Sequence, residues 1–133
     1  MVALVTDLTG SGLAPQLASL LGESVVTGIT AGAGGTVGAA TQITGTLNIV
    51  TVVASGNDSL KLPVIGGSTP WQNSQMIVIQ NRDASDACVV FPGTGNSING
   101  GTVTTGTVSI AAVSTRVFYR VSNTDWASWV AAQ

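Results

Sequence analysis

The side chains that could carry out chemistry are few and dispersed. The chain contains no histidine, so the commonest general base and metal ligand is absent, and zinc, Ser/His and Cys/His chemistry are excluded. Asp83 and Asp86 lie close together, but in a polar stretch where Asp is a normal turn former. A calcium site built from these two carboxylates and loop carbonyls is the alternative. The pattern favours a protein that is not an enzyme and needs no cofactor.

Two arginines and one cysteine complete the set of candidates. Arg116 and Arg120 share one face of a predicted strand with Phe118, because they stand two residues apart. The same alternation places Thr115, Val117, Tyr119 and Val121 on the other face. The two guanidinium groups could hold a partner's carboxylate, or they could lie solvated on the sheet face. Cys88 stands inside an apolar run, which is typical of a small buried hydrophobe rather than a ligand or a nucleophile.

The composition points to a protein that works in an assembly. Only 8% of the 133 residues are charged, against roughly 25% in an ordinary soluble domain, and 44% are hydrophobic. One reading is a small β domain with a surface of Thr, Ser and Asn. The other, which the apolar content favours, is a surface covered by neighbours. The net charge of −2 and the dispersed cations argue against nucleic-acid binding.

Targeting signals are not expected from the pattern. No stretch reaches the 18 or so consecutive apolar residues of a membrane span, so no membrane partner is expected. The first residues lack a basic start, and Asp7 interrupts them before a long apolar run, which is unlike a secretory signal.

Residues 25–133 predict an all-β body. Residues 47–54 are apolar on both faces, which indicates a central strand. Two apolar runs, 76–79 and 87–91, flank the polar residues 81–86 and predict a hairpin. Turn signals recur often along the rest of the body. This spacing is typical of an antiparallel β-sandwich or a jelly-roll-like barrel.

Residues 1–24 predict a separate N-terminal arm with a short helix. The helix would begin near Ser11 and end at Gly22. An apolar stripe with the spacing i, i+4, i+7 and i+8 is formed by Leu13, Leu17, Leu20 and Leu21. A helix this short needs a surface on which to lie. That surface is either its own domain or a neighbouring subunit, and both remain open.

A series of motifs over residues 38–130 resembles a known module. In order, the motifs are Ala-Thr-Gln-Ile-Thr-Gly at 40–45, Leu-Pro at 62–63, an apolar strand closing on Asn at 76–81, Val-Phe-Pro at 90–92, Gly-x-Ser-Ile-Asn-Gly at 95–100, Val-Ser-Ile-Ala at 108–111, Phe118 and Trp126. The ordered set resembles a β module of tailed-phage structural proteins. These include capsid decoration (cement) proteins and some head or tail fibre proteins.

The resemblance implies a homotrimer without catalytic residues that attaches to a virion. Because the chain is nearly all module and has no fibre shaft, it favours a protein made in the host cytoplasm that binds the major capsid protein on the outer surface of the capsid. The residues expected at the subunit or capsid interface are Leu13, Leu17, Leu20, Leu21, Arg116, Arg120 and Trp71.

The alternative is a tail-fibre or receptor-binding module that recognises a host glycan or protein. Exposed aromatic side chains would be its distinguishing feature, and the candidates are Trp71, Tyr119 and Trp129. For Trp71 itself, the pattern favours a position over the core, and an exposed contact is the alternative.

Overall fold

A computed structural model describes residues 24–65 and 76–131. Within these ranges the regular secondary structure consists entirely of β-strands, which confirms the all-β prediction. The predicted arm helix over residues 11–22 lies outside them. The strands are β1 (Val25–Thr30), β2 (Thr41–Gln42), β3 (Leu47–Val52), β4 (Ser59–Lys61), β5 (Met76–Asn81), β6 (Cys88–Phe91), β7 (Ser97–Ile98), β8 (Val108–Ile110), β9 (Ser114–Arg120) and β10 (Asp125–Val130).

The strands form two mixed sheets. Sheet A has the order β1-β3-β5-β9-β10-β7, and sheet B has the order β2-β4-β6-β8. The chain alternates between the sheets, because β1, β3 and β5 pair in parallel in sheet A while β2, β4 and β6 pair in parallel in sheet B. These six strands therefore make three stacked coils, like those of a short β-helix. Strands β8, β9 and β10 then add antiparallel pairs.

The prediction of wholly antiparallel pairing is wrong for the three coils. Val25 pairs with Leu47, and Leu47 pairs with Val78, so successive coils differ in length. Because the coils differ in length, the sequence has no repeat of fixed period that would have indicated stacked parallel coils. In addition, a short β-branched run has the same local pattern whether its partner is parallel or antiparallel.

The predicted hairpin over residues 76–91 is also wrong, because β5 belongs to sheet A and β6 to sheet B. The polar residues between them form a corner from one sheet to the other. Asn81 is fully buried there, and its Nδ2 donates to the carbonyls of Asp86 (2.8 Å) and Ile110 (3.3 Å). Asp83 Oδ1 accepts from the Asp86 N–H at 3.0 Å. Hydrogen bonds from side chains to the backbone thus stabilise this corner, whereas a hairpin would be stabilised by backbone hydrogen bonds between its two strands.

One hydrophobic core joins the two sheets. Strand β3 lies between β1 and β5, as its apolar run predicted. The fully buried core residues include Val50, Ile77, Ile79, Phe118 and Trp126 from sheet A, and Leu60, Cys88 and Val90 from sheet B. Because the core lies between the sheets, each sheet has an outer side on which ligands or partners can bind.

Candidate functional site

The outer side of sheet A carries a row of apolar side chains that crosses five strands. Paired residues on neighbouring strands point to the same side of a sheet, so the register shows which residues belong to one row. The pairs run from Val25 to Leu47, Leu47 to Val78, Val78 to Val117, and Val117 to Trp129. The adjacent residues point to the other side of the sheet, where Asn48, Ile77, Ile79 and Phe118 are fully buried.

A second row lies beside the first. Met76 pairs with Tyr119, and Tyr119 pairs with Ala127. The rings of Tyr119 and Trp129 are in contact, with centroids 6.5 Å apart and planes tilted by 42°. Met76 is 43% exposed and Trp129 is 49% exposed. The two rows together are named the outer apolar face: Val25, Leu47, Met76, Val78, Val117, Tyr119, Ala127 and Trp129.

The outer apolar face is uncharged and of moderate size. Its first row crosses four gaps between strands, which is about 19 Å. The two rows cover on the order of 300 Å², the lower end of the range for the largest apolar patch on a monomer. Arg82 borders the face, because its Nε donates to Oε1 of Gln80 at 2.9 Å and Gln80 lies two residues beyond Val78 on β5.

Arg116 lies between the two sheets. Its Nε donates to Ser128 Oγ on β10 at 3.0 Å, and its Nη1 donates to the Ser109 carbonyl on β8 at 3.3 Å. Ser128 Oγ also accepts from Asn99 Nδ2 at 2.9 Å. Partial burial lowers the pKa of Arg116. The side chain therefore connects sheet A to sheet B within one chain, and its role toward a partner stays a prediction.

Arg120 is only 5% exposed, so the reading in which it lies solvated on a sheet face is wrong for this residue. Its Nε donates to the Ser122 carbonyl at 3.1 Å, and its Nη2 donates to Asn123 Oδ1 at 2.8 Å, both in the turn between β9 and β10. Its Nη1 is buried and has no hydrogen-bond acceptor in the described structure. The hypothesis of a partner's carboxylate stays open for that nitrogen.

Asp83 acts as a turn former. Its Oδ1 accepts from the N–H groups of Ser85 and Asp86, both at 3.0 Å, and its Oδ2 accepts from the Val53 N–H at 3.2 Å. These backbone donors hold the pKa of Asp83 below its ordinary value. Within residues 24–65 and 76–131, no three His, Cys, Asp or Glu side chains group as metal ligands. The geometry therefore gives the calcium alternative no support.

Cys88 is fully buried in the core, which confirms the prediction of a small buried hydrophobe. Burial raises the pKa of its thiol to about 11. At neutral pH the side chain is a thiol, which is a poor nucleophile compared with a thiolate.

Five of the predicted interface residues lie outside the described structure, namely Leu13, Leu17, Leu20, Leu21 and Trp71. Of the predicted arm, the structure describes Ser24. Its carbonyl accepts from the N–H groups of Thr46 (2.8 Å) and Leu47 (3.1 Å). Since Val25 and Leu47 both belong to the outer apolar face, an arm that precedes Ser24 would join the body at the edge of that face.

Sequence patterns identified part of the outer apolar face. The alternation along residues 115–121 placed Val117 and Tyr119 on one side of their strand, opposite Phe118, and the fold confirms this. Val25, Leu47 and Val78 were missed as members of the same surface. Their only local signal is a β-branched or apolar residue in a strand, which does not show its pairing partner.

No protein-family model, curated protein or solved structure matches this chain. The resemblance to the tailed-phage module therefore stays a prediction from the motifs. Separately, the described ranges contain no helix that is long and apolar enough to cross a membrane.

Proposed function

We propose that this chain is a structural protein of a bacteriophage virion, a decoration (cement) protein that binds the outer surface of the capsid as a homotrimer and stabilises the shell. The observation that carries the proposal is the outer apolar face of sheet A. A chain with 8% charged residues and such a face gains free energy when neighbours cover it. The resemblance of the motifs to the tailed-phage module is the reason for proposing a virion as the assembly and three as the number of subunits.

The outer apolar face suits the centre of an interface rather than a whole interface. A stable interface buries about 800 Å² on each partner, more than twice the area on the order of 300 Å² estimated above. The surrounding Thr and Ser side chains would then form the polar rim. Tyr119 and Trp129 are the types of residue that dominate binding energy at interface centres.

Shell stabilisation follows from mass action. A protein that binds the assembled lattice, and not separate capsid subunits, shifts the equilibrium away from disassembly. At a free concentration 100 times the dissociation constant, each occupied site contributes about 2.7 kcal/mol. In this proposal the outer apolar face mediates self-association, and the N-terminal arm binds the major capsid protein.

The proposal is tested with the purified full chain and with capsids assembled without it. We expect a trimer mass by sedimentation equilibrium, and regular density on the outside of the capsids by cryo-electron microscopy. Decorated capsids should also resist heating better than bare ones, as measured by release of packaged DNA. A monomer that leaves the capsids bare would overturn the proposal.

A receptor-binding module is the second candidate, and one observation favours it. Tyr119 and Trp129 form an aromatic pair on an open surface, and such pairs also bind sugars and peptides. In this case Tyr119→Ala and Trp129→Ala would abolish binding of the chain to host cells while leaving its oligomeric mass unchanged. In the decoration protein, the same variants lose the trimer and do not affect cell binding.

A further inference from the structure

The outer side of sheet B holds a cleft between two loops. The first loop, residues 32–40, is fixed to β4, because Gly32 and Ser59 exchange backbone hydrogen bonds of 2.9 and 2.8 Å. The second, residues 99–107, follows β7 and is fixed by backbone hydrogen bonds from Thr104 N–H to the Asn96 carbonyl at 2.7 Å and from Gly106 N–H to the Thr102 carbonyl at 2.8 Å. The cleft between these loops has a volume of about 440 Å³.

The floor of the cleft is apolar and its walls are polar but uncharged. Val89 and Phe91 of β6 lie at the floor, and Asn57, Thr105 and Thr107 line the walls. The side chains of these three wall residues make no hydrogen bond to any described residue, so their amide and hydroxyl groups are available to a ligand. Most of the accessible lining is polar, with a small apolar floor, which suits a ligand rich in hydroxyl groups.

Glycines keep one wall of the cleft thin. Gly34 and Gly35 both line it, and both have positive φ values, of 97° and 61°. A Cβ on Gly35 would lie 2.9 Å from the Asn57 carbonyl oxygen, so the loop could not keep this approach with a larger residue. The wall is therefore set by the backbone of the folded protein and does not need a ligand to form.

We propose that this cleft, with Val89 and Phe91 below and Asn57, Thr105 and Thr107 around it, binds a neutral carbohydrate. A sugar ring has a C–H surface that suits an apolar floor and hydroxyl groups that suit amide and hydroxyl partners. A phosphate or carboxylate ligand would require a cation or an array of N–H donors, and no lining side chain is charged. The volume falls within the roughly 300–1,000 Å³ of small-ligand pockets. The inference does not depend on the proposed role in the capsid.

The test is an amide chemical-shift titration of the full chain by NMR. The probes are glucose, galactose, mannose and N-acetylglucosamine, their common disaccharides, and sialic acid as an anionic comparison. We expect at least one neutral sugar to shift the amides of Asn57, Val89, Thr105 and Thr107 at millimolar concentration. Asn57→Ala and Thr107→Val should each raise the dissociation constant of that sugar by about fivefold, the usual effect of losing one neutral hydrogen bond.

The matched control is Thr51→Val, the same chemical change at an exposed position of β3 in sheet A. It should leave sugar affinity unchanged. The inference is overturned if no neutral sugar shifts these amides, if the shifts map to another surface, or if sialic acid alone binds. It is also overturned if Asn57→Ala and Thr107→Val both remain folded and bind as tightly as the unchanged chain.

Discussion

Replacing Trp129 by Ser should weaken self-association strongly. A tryptophan presents roughly 200 Å², and Trp129 is 49% exposed, so about 100 Å² of it remains to be covered at an interface. At about 25 cal/mol per Å², covering that area contributes about 2.5 kcal/mol for each subunit contact. This corresponds to an increase of about 60-fold in the dissociation constant of the contact.

The same substitution has a smaller effect within one chain. It removes the ring contact with Tyr119, and such pairs contribute about 0.5–1.5 kcal/mol beyond area burial. Sedimentation equilibrium over a range of protein concentrations measures the association constant. Urea unfolding at the lowest concentration measures the free energy of unfolding of the separate subunit. We expect Trp129→Ser to change the free energy of association more than it changes the free energy of unfolding.

Val103→Ser is the matched control, because Val103 is an apolar residue of similar exposure, 56%, in the loop between β7 and β8. It should leave the association constant unchanged. If Trp129→Ser forms the trimer at the same concentration as the unchanged chain, the outer apolar face is not the self-association surface. The same conclusion follows if Val103→Ser dissociates the trimer to the same extent.

Three further changes test other parts of the chain. Asn81→Ala leaves three corner carbonyls without the Asn81 donor and should cost about 2–4 kcal/mol by urea unfolding; an unchanged midpoint would contradict this. Asp83 has a lowered folded pKa, so its stabilisation is present above the unfolded value near 3.8 and is lost as pH falls through the folded pKa. In Asp83→Asn, the melting temperature should no longer show the fall at acid pH that comes from protonation of this carboxylate. The same dependence of melting temperature on pH in the variant and the unchanged chain would contradict this role of Asp83. Deleting residues 1–22 should leave a folded body by circular dichroism with weaker capsid binding; equal binding would show that the arm is not the anchor.

Local sequence patterns predicted the strands better than their arrangement. Alternation on β9 correctly placed Val117 and Tyr119 opposite Phe118, and the apolar run around Cys88 correctly indicated burial. These features depend on residues next to each other in the chain. The sheet order depends instead on whether the polar residues 81–86 return the chain to the same sheet or carry it to the other one. Both outcomes use the same Asn and Asp residues, so the pattern could not decide between them.

The candidate surfaces were harder to predict because distant segments form them. The outer apolar face requires the register of β1, β3, β5, β9 and β10 together, and each strand contributes only one or two of its members. Arg120 shows a different limit. Its position beside Phe118 was predicted, but an arginine is normally exposed, so its burial was not expected from its type.

The two candidate surfaces lie on different sheets, and this separation has a functional consequence. The outer apolar face belongs to sheet A and the cleft belongs to sheet B, with one core between the sheets. A trimer that closes through sheet A therefore leaves the cleft open to solvent. Sugar affinity should then be the same in the trimer and in a subunit dissociated by Trp129→Ser. If affinity falls with dissociation, the sheet A contact and the cleft are coupled through the core, and the two surfaces do not act independently.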